Sequence, residues 1–324
     1  MMNKSTYQKI YILQKQIRYI EKTISEKYHE NQMRCPTHLS LGQEAIAAAT
    51  GVALKKSDVS VSYHRSHAHY LSKGGNLKKM LAEIYGFKEG CSKGIGGSMH
   101  LIDLKSNFYG STAVVANSIP IGVGIAYSMK INNIKNLVCI YVGDASVEEG
   151  VFFESINFCV IKKLPVVFVC ENNFYSVYTH LKFRQPQERK IYKLAKAMGA
   201  ISYKFSQNNP FKLYSNFNKI FNKVRKNPKT YFIEVETCRY LEHCGPNDDS
   251  VLGYRDLKEM NKWKKKDPIK FSRNYLIKNK IFGEKKIEKF NQKLMKEIDK
   301  GFQYINTLKR PQFKNIKNLA YKIR

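Results

Sequence analysis

The chain is short of acid: its 324 residues hold 26 Asp and Glu against 56 Lys and Arg, a formal charge of +30. That imbalance raises non-specific affinity for nucleic acid or an anionic membrane. It comes with no nucleic-acid motif, because Lys predominates and aromatic residues do not interleave with Arg on one strand face. From Lys258 onward there are 21 basic and 6 acidic residues, so half of the excess lies in the last fifth of the chain. Such runs read as solvated helix faces, or as a basic lip for an acidic partner domain. Long apolar runs are missing too, and nothing approaches the roughly 18 residues that a membrane span needs. Met1–Tyr7 has neither an apolar signal core nor the Arg- and Ser-rich character of an organelle leader, so a cytoplasmic protein is expected. Proline and glycine are sparse, 9 and 19 beside 43% apolar residues, which argues for a globular chain over a disordered one. Seven cysteines, an odd number often set inside apolar runs, suit reduced buried thiols better than a disulfide framework. No P-loop and no internal repeat occurs, and Gly94-Ile95-Gly96-Gly97 lacks the preceding strand, following helix and third glycine of a dinucleotide fingerprint.

What is present alternates between strand and helix patterns. Ile10, Leu13, Ile17, Ile20 and Ile24 repeat at helical spacing. Ser40 with Gln43 has the form of a capping box before Ala45–Ala49. Asp58–Tyr63 alternates like a strand and delivers His64, Arg65 and His67 to its end. Helices are expected around Leu77–Tyr85, after an Asn117 or Ser118 cap with Pro120 in the first turn, over Glu148–Lys162, and over Ile191–Ala197. Gly122 and Gly124 suit a close helix contact, within the chain or across a subunit interface. Tyr231–Glu236 reads as a strand, 172–189 and 240–255 as loops, and Ile287, Phe290, Leu294, Ile298 and Phe302 as a last amphipathic helix. The alternation predicts a doubly wound α/β domain with a parallel sheet, spanning 1–266, and a basic helical extension over 267–324.

Two apolar runs carry the chemistry. Leu137–Val142 ends in Gly143-Asp144, and Pro165–Cys170 ends in Glu171-Asn172-Asn173. As neighbouring parallel strands they would present a carboxylate and an amide at their carboxyl ends, where open α/β sheets bind ligands. Such oxygens, joined by a main-chain carbonyl, are hard donors suited to Mg²⁺ completed by phosphate. Taken alone, Asp144 could equally cap the next helix. His64, His67 and His69 raise a zinc reading, but no Cys or carboxylate completes a familiar spacing.

The 29 positions from Asp144 to Asn173 resemble the thiamine-diphosphate motif, Gly-Asp-Gly followed by Asn-Asn. Together with Gly42-Gln43-Glu44-Ala45, Arg65-Ser66-His67, Gly96–His100, Glu149–Asn157 and Lys163–Pro165, the chain resembles, over roughly residues 8 to 270, the alpha subunit of thiamine-dependent 2-oxo acid dehydrogenases. His64-Arg65 is closer to the acetoin-dehydrogenase type than to the Tyr-Arg of pyruvate dehydrogenases. The resemblance implies the thiamine-diphosphate-binding fold with helical extensions at both ends. It implies Mg²⁺ on Asp144, Asn173 and the Tyr175 carbonyl, and thiamine diphosphate against His64, Arg65, Ala113, Val115, Gly143, Asp144, Ala145, Asn173 and His243. His243 and His38 match catalytic histidines.

It also implies decarboxylation of a 2-oxo acid, or cleavage of an acyloin such as acetoin, with acyl transfer to a lipoyl-bearing partner. A beta subunit supplies the second half of the site in an assembly of two alpha and two beta chains. Two departures from the pattern stand out. Ala145 replaces a glycine, at a cost of about 1–2 kcal/mol if φ there is positive. Cys244–Asp249 replaces the usual Ser-x-Ser-Asp loop, which keeps open a non-oxidative carbon–carbon bond enzyme acting on a sugar-like acid. A basic binding protein without catalysis is the remaining alternative.

Overall fold

The computed structural model describes residues 2–33 and 35–309. The chain opens with α1 (Lys4–Lys27), α2 (Glu44–Ala53), β1 (Val59–Ser62), α3 (His67–Ser72), α4 (Leu77–Ile84), β2 (Phe108–Ser111) and α5 (Ser118–Ile131). β3 (Val138–Gly143), α6 (Gly150–Ile161) and β4 (Val166–Asn172) follow, then a ribbon of β5 (Tyr175–Ser176) and β6 (Thr179–His180). The remainder is α7 (Leu181–Arg184), α8 (Ile191–Ala197), β7 (Ile201–Ser206), α9 (Pro210–Lys226), β8 (Tyr231–Glu236), α10 (Leu257–Lys265), α11 (Pro268–Lys278) and α12 (Glu284–Ile305).

Six strands form one sheet in the order β2-β1-β3-β4-β8-β7, and every pairing in it is parallel. β3 and β4 are buried along nearly their whole length because both faces are covered. On one face α5, α6 and α8 pack through Ile119, Val123, Phe152, Ile156 and Ala195. On the other, α2 and α9 pack through Ala49, Leu213, Phe217 and Phe221. The expected doubly wound α/β fold is the one observed. The strand order reverses between β1 and β3, and that crevice is where such sheets take ligands.

α1, α11 and α12 form a helical layer beside this sandwich, residues 310–324 of the expected basic extension lying outside the described residues. α1 is capped by the Asn3 side chain, which accepts from Thr6 N at 2.8 Å, and it buries Ile10, Ile17, Ile20 and Ile24. α12 lays Leu294, Ile298 and Phe302 into the same cluster as Ile17, Ile20 and Leu81. Arg18 ties the layer together, pairing with Glu44 of α2 and, at 2.9 Å, with Asp267 at the start of α11. Among the described residues no helix is long and apolar enough to cross a membrane.

Several local expectations change. The capping box at Ser40 and Gln43 does not form: Gln43 occupies the N-cap without a side-chain cap bond, its amide being used elsewhere. Asn117 likewise caps α5 by position only. Residues 172–189 contain the β5–β6 ribbon and α7 rather than a bare loop. Gly122 serves an intrachain contact, since a Cβ there would meet Ile140 and Val61 at 2.6–2.8 Å, whereas Gly124 faces open space. Ala145 is absent from the positive-φ residues, so its methyl brings no backbone strain.

Gly42 has φ +95°, and a Cβ on it would lie 2.3 Å from the Cys238 carbonyl and 2.8 Å from the Tyr240 ring. Gly42→Ala is expected to lower stability by about 2–4 kcal/mol, from left-handed strain plus overpacking. An unchanged unfolding midpoint in urea would refute this.

Candidate active site

The carboxyl ends of β1, β3 and β4 open onto a cavity of about 140 Å³. Its wall includes His38, His64, Arg65, Ala113, Val115, Gly143, Asp144, Ala145, Asn173, Tyr175 and His243, so the residues assigned to cofactor, metal and catalysis from the family resemblance meet there. A larger cleft of about 530 Å³ at the amino ends of the strands is lined by Lys130, Lys163 and Lys226 without a carboxylate or imidazole. The candidate carboxylate, amide and imidazoles lie at the smaller cavity.

Asp144 follows β3 and is buried. Burial raises its pKa, and the guanidinium of Arg184 opposes that rise. Arg184, on α7, pairs with Asp144 Oδ2 and with Glu148 Oε1 at 2.5 Å. A buried carboxylate here therefore already carries a cation. The two asparagines divide their work. Asn172 donates to Glu234 at 2.9 Å and accepts from Phe174 N, a structural role. Asn173 faces the cavity, donating to Gln43 Oε1 at 3.0 Å and accepting from Tyr175 N at 3.1 Å. Tyr175 is pinned from behind, its hydroxyl 3.0 Å from Glu259 and the Arg255 guanidinium 4.4 Å from its ring centre.

Three histidines form the opposite wall. The ring centres of His38, His64 and His243 are 4.8–5.4 Å apart. Burial, seconded by Arg65, pushes the imidazoles of His38 and His243 down to about 3 and that of His64 well below its usual value. All three are neutral at physiological pH. Arg65 Nη1 donates to Leu39 O at 2.8 Å, while Nη2 lies 2.8 Å from His243 O and 3.2 Å from His243 Nδ1. A guanidinium has no acceptor, so Nδ1 is the accepting nitrogen and Nε2 of His243 carries the proton.

The ligand nitrogens of the three rings fall within 4.8 Å of one another, metal-binding reach. That protonated Nε2 and the adjacent positive charge oppose a cation there. His67 and His69 turn away instead, His67 to Ser98 Oγ at 2.8 Å and His69 to Ser62 Oγ at 2.8 Å while stacking on Tyr141. The zinc reading of His64, His67 and His69 therefore has no ligand set behind it among the described residues. Sequence reasoning missed Tyr63 and Val177 at this cavity, and Arg184, which reaches it through Asp144; Val177 sits at φ +52°, a strained value for a β-branched residue.

The fold and cavity define a doubly wound α/β protein whose ligand site, at the topological switch point, joins hard oxygen donors to an arginine and neutral imidazoles. The chain belongs to the dehydrogenase E1 component family, whose profile matches residues 14–314, and the resemblance to thiamine-dependent 2-oxo acid dehydrogenase alpha subunits stands on that match. It is 31% identical over 288 residues to the pyruvate dehydrogenase E1 component subunit alpha of Rickettsia bellii, covering 89% of this chain and 87% of that protein. It is 33% identical over 283 residues to the Rickettsia typhi protein of the same name, covering 86% of each. A chloroplastic alpha-3 subunit from Arabidopsis thaliana is 29% identical over 301 residues, covering 91% of this chain and 69% of its own length.

Proposed function

We propose that this chain is the alpha subunit of a thiamine-diphosphate-dependent enzyme that decarboxylates a 2-oxo acid, or cleaves an acyloin such as acetoin, and passes the acyl group to a lipoyl-bearing partner. The observation that carries this reading is the meeting of Asp144 and Asn173, 29 positions apart, at one cavity faced by Arg65 and His243. The residues fit the implied metal. A buried carboxylate, an amide oxygen and the Tyr175 main-chain carbonyl are hard donors of the kind Mg²⁺ takes, and Asp144 already attracts a cation in Arg184.

When bound, thiamine diphosphate supplies the carbanion chemistry. Asp144, Asn173 and Tyr175 would hold Mg²⁺ against its diphosphate. Arg65 would contribute a planar guanidinium to the same anion. His243 would offer Nε2–H as a fixed donor to negative charge on the substrate, and the neutral His38 and His64 add no charge at that end of the cavity.

The partner is a beta subunit, in an assembly of two alpha and two beta chains. Exposed apolar side chains support that: Ile121, Ile131 and Ile161 are 46%, 62% and 65% exposed on α5 and α6. Exposed apolar patches of this kind usually mark interfaces. The chain purified alone is expected to dimerise or aggregate, to bind cofactor poorly and to turn over nothing. Co-expression with a beta subunit should restore binding and activity together, read with 2-oxo acids, acetoin and an artificial electron acceptor. Robust turnover by the isolated chain would remove the two-chain reading. Salt-sensitive nucleic-acid binding without cofactor binding would replace it with a basic binding protein.

A further inference from the structure

We propose that Gln43 is a positioning residue that fixes which atom of Asn173 faces the metal site, an inference that rests on the Mg²⁺–diphosphate reading above. A carboxamide can lie in either of two orientations. One offers an oxygen to a cation and the other offers an NH₂ group that repels it, so a metal-binding asparagine needs its orientation set by its surroundings.

The chain contains a relay that sets it. Glu171, the residue before the Asn pair, is 1% exposed, and its Oε2 accepts from the Tyr63 hydroxyl at 2.5 Å. Gln43 Nε2 lies 3.4 Å from the same oxygen. An oxygen already accepting from Tyr63 calls for the NH₂ end of Gln43, so Oε1 of Gln43 is turned the other way. Oε1 lies 3.0 Å from Asn173 Nδ2. An amide oxygen only accepts, so Asn173 turns its NH₂ to Gln43 and leaves Oδ1 on its other side. The Tyr175 N–H meets that Oδ1 at 3.1 Å, so both ends of the carboxamide are held, and Gln43 holds the NH₂ end.

Gln43 itself has little freedom. It is 1% exposed; the Gly42 carbonyl before it accepts from Gln207 Nε2 at 2.8 Å, and Glu44 after it is clasped by Arg18. The amide that leaves the helix cap unmade is spent on this relay. Buried polar networks of this kind act through the ligand they orient, and their loss costs metal sites roughly 10–100-fold in affinity.

Orientation makes a prediction that charge alone reverses. In the assembled enzyme, with Mn²⁺ as the spin probe and thiamine diphosphate present, Gln43→Leu should weaken Mn²⁺ binding by roughly 10–100-fold. Adding Asn173→Asp to that variant should recover most of the loss, because a carboxylate has two equivalent oxygens and needs no orienting. Asn173→Asp alone should bind Mn²⁺ more weakly than the wild type despite its added charge, since it sets a carboxylate against Gln43 Oε1. That single variant also tests the relay should Gln43→Leu fail to fold. Wild-type affinity in Gln43→Leu, absence of rescue in the double variant, or tighter binding by Asn173→Asp alone would each overturn the proposal. A wild-type enzyme that binds thiamine diphosphate but no Mn²⁺ would overturn the metal reading beneath it, and would be recognised as that distinct failure.

Discussion

Asp144→Asn should abolish metal-dependent thiamine-diphosphate binding, by at least roughly 100-fold, while leaving the fold in place. The substitution keeps the shape of the side chain and removes the one negative charge the buried site directs at a cation. Arg184 retains Glu148 at 2.5 Å, so the arginine is not stranded in the interior, and the loss of stability should stay below the about 3–5 kcal/mol of an orphaned buried charge. Titration calorimetry on the assembled complex with Mg²⁺ and thiamine diphosphate measures the first quantity, and thermal unfolding the second. Unchanged affinity would remove the central claim about this cavity.

His243→Ala is expected to lower kcat by roughly 10²–10⁴ while affecting cofactor affinity less. The geometry makes the expectation more specific than loss of an imidazole. His243 is a neutral donor through Nε2–H, held so by Arg65 at 3.2 Å from Nδ1, so His243→Gln, which keeps an N–H, should retain more activity than His243→Ala. With its pKa pushed down to about 3 by burial and by Arg65, His243 does not titrate near neutrality and should leave no break in the kcat profile between about pH 5 and 8.

The same shift acts on stability. Between about 3 and the ordinary histidine value of about 6.5 the unfolded chain binds more protons than the folded one, so stability is fully present above that window and falls as pH drops through it. Turnover near wild type in His243→Ala would mean that the loop carrying Cys244 has diverged in role. A midpoint of unfolding that is flat from pH 7 to 4 would contradict the burial of these rings.

The sheet and the metal-binding candidates were legible because local pattern and position coincide. Asp144 and Asn173 each terminate a run of apolar residues that only a strand covered on both faces can use. Arg184 was not legible, because it lies in a stretch without periodicity and reaches Asp144 across 40 positions. Gln43 stood in a recognisable motif, yet its task depends on a contact with Glu171, 128 positions away. The failed capping box belongs to the same class, since Ser40 and Gln43 have local partners available and tertiary ones prevail. β2 and β7 escaped for a different reason. The first is four residues interrupted by Gly110, and the second is a half-exposed edge strand with weak alternation. α9 carries Phe217, Ile220, Phe221 and Val224 at helical spacing, a signal the chain does contain.

On the proposed metal reading, the arginine on Asp144 Oδ2 would make the cavity an ion exchanger. A divalent cation taking that same oxygen would displace the guanidinium, and its apparent affinity would be the intrinsic one reduced by the free energy of the arginine contact. The displaced group is tethered to α7 and the short ribbon before it, whose Tyr178 and Phe183 are 48% and 75% exposed. Metal occupancy would then be linked to the position of this partly apolar segment. By reciprocity, whatever grips that segment away from Asp144 tightens metal binding by the same factor. Trp263 on α10, the chain's single tryptophan, has its ring centre 6.4 Å from that of Phe174, which leads into the ribbon, so its fluorescence would report such a movement.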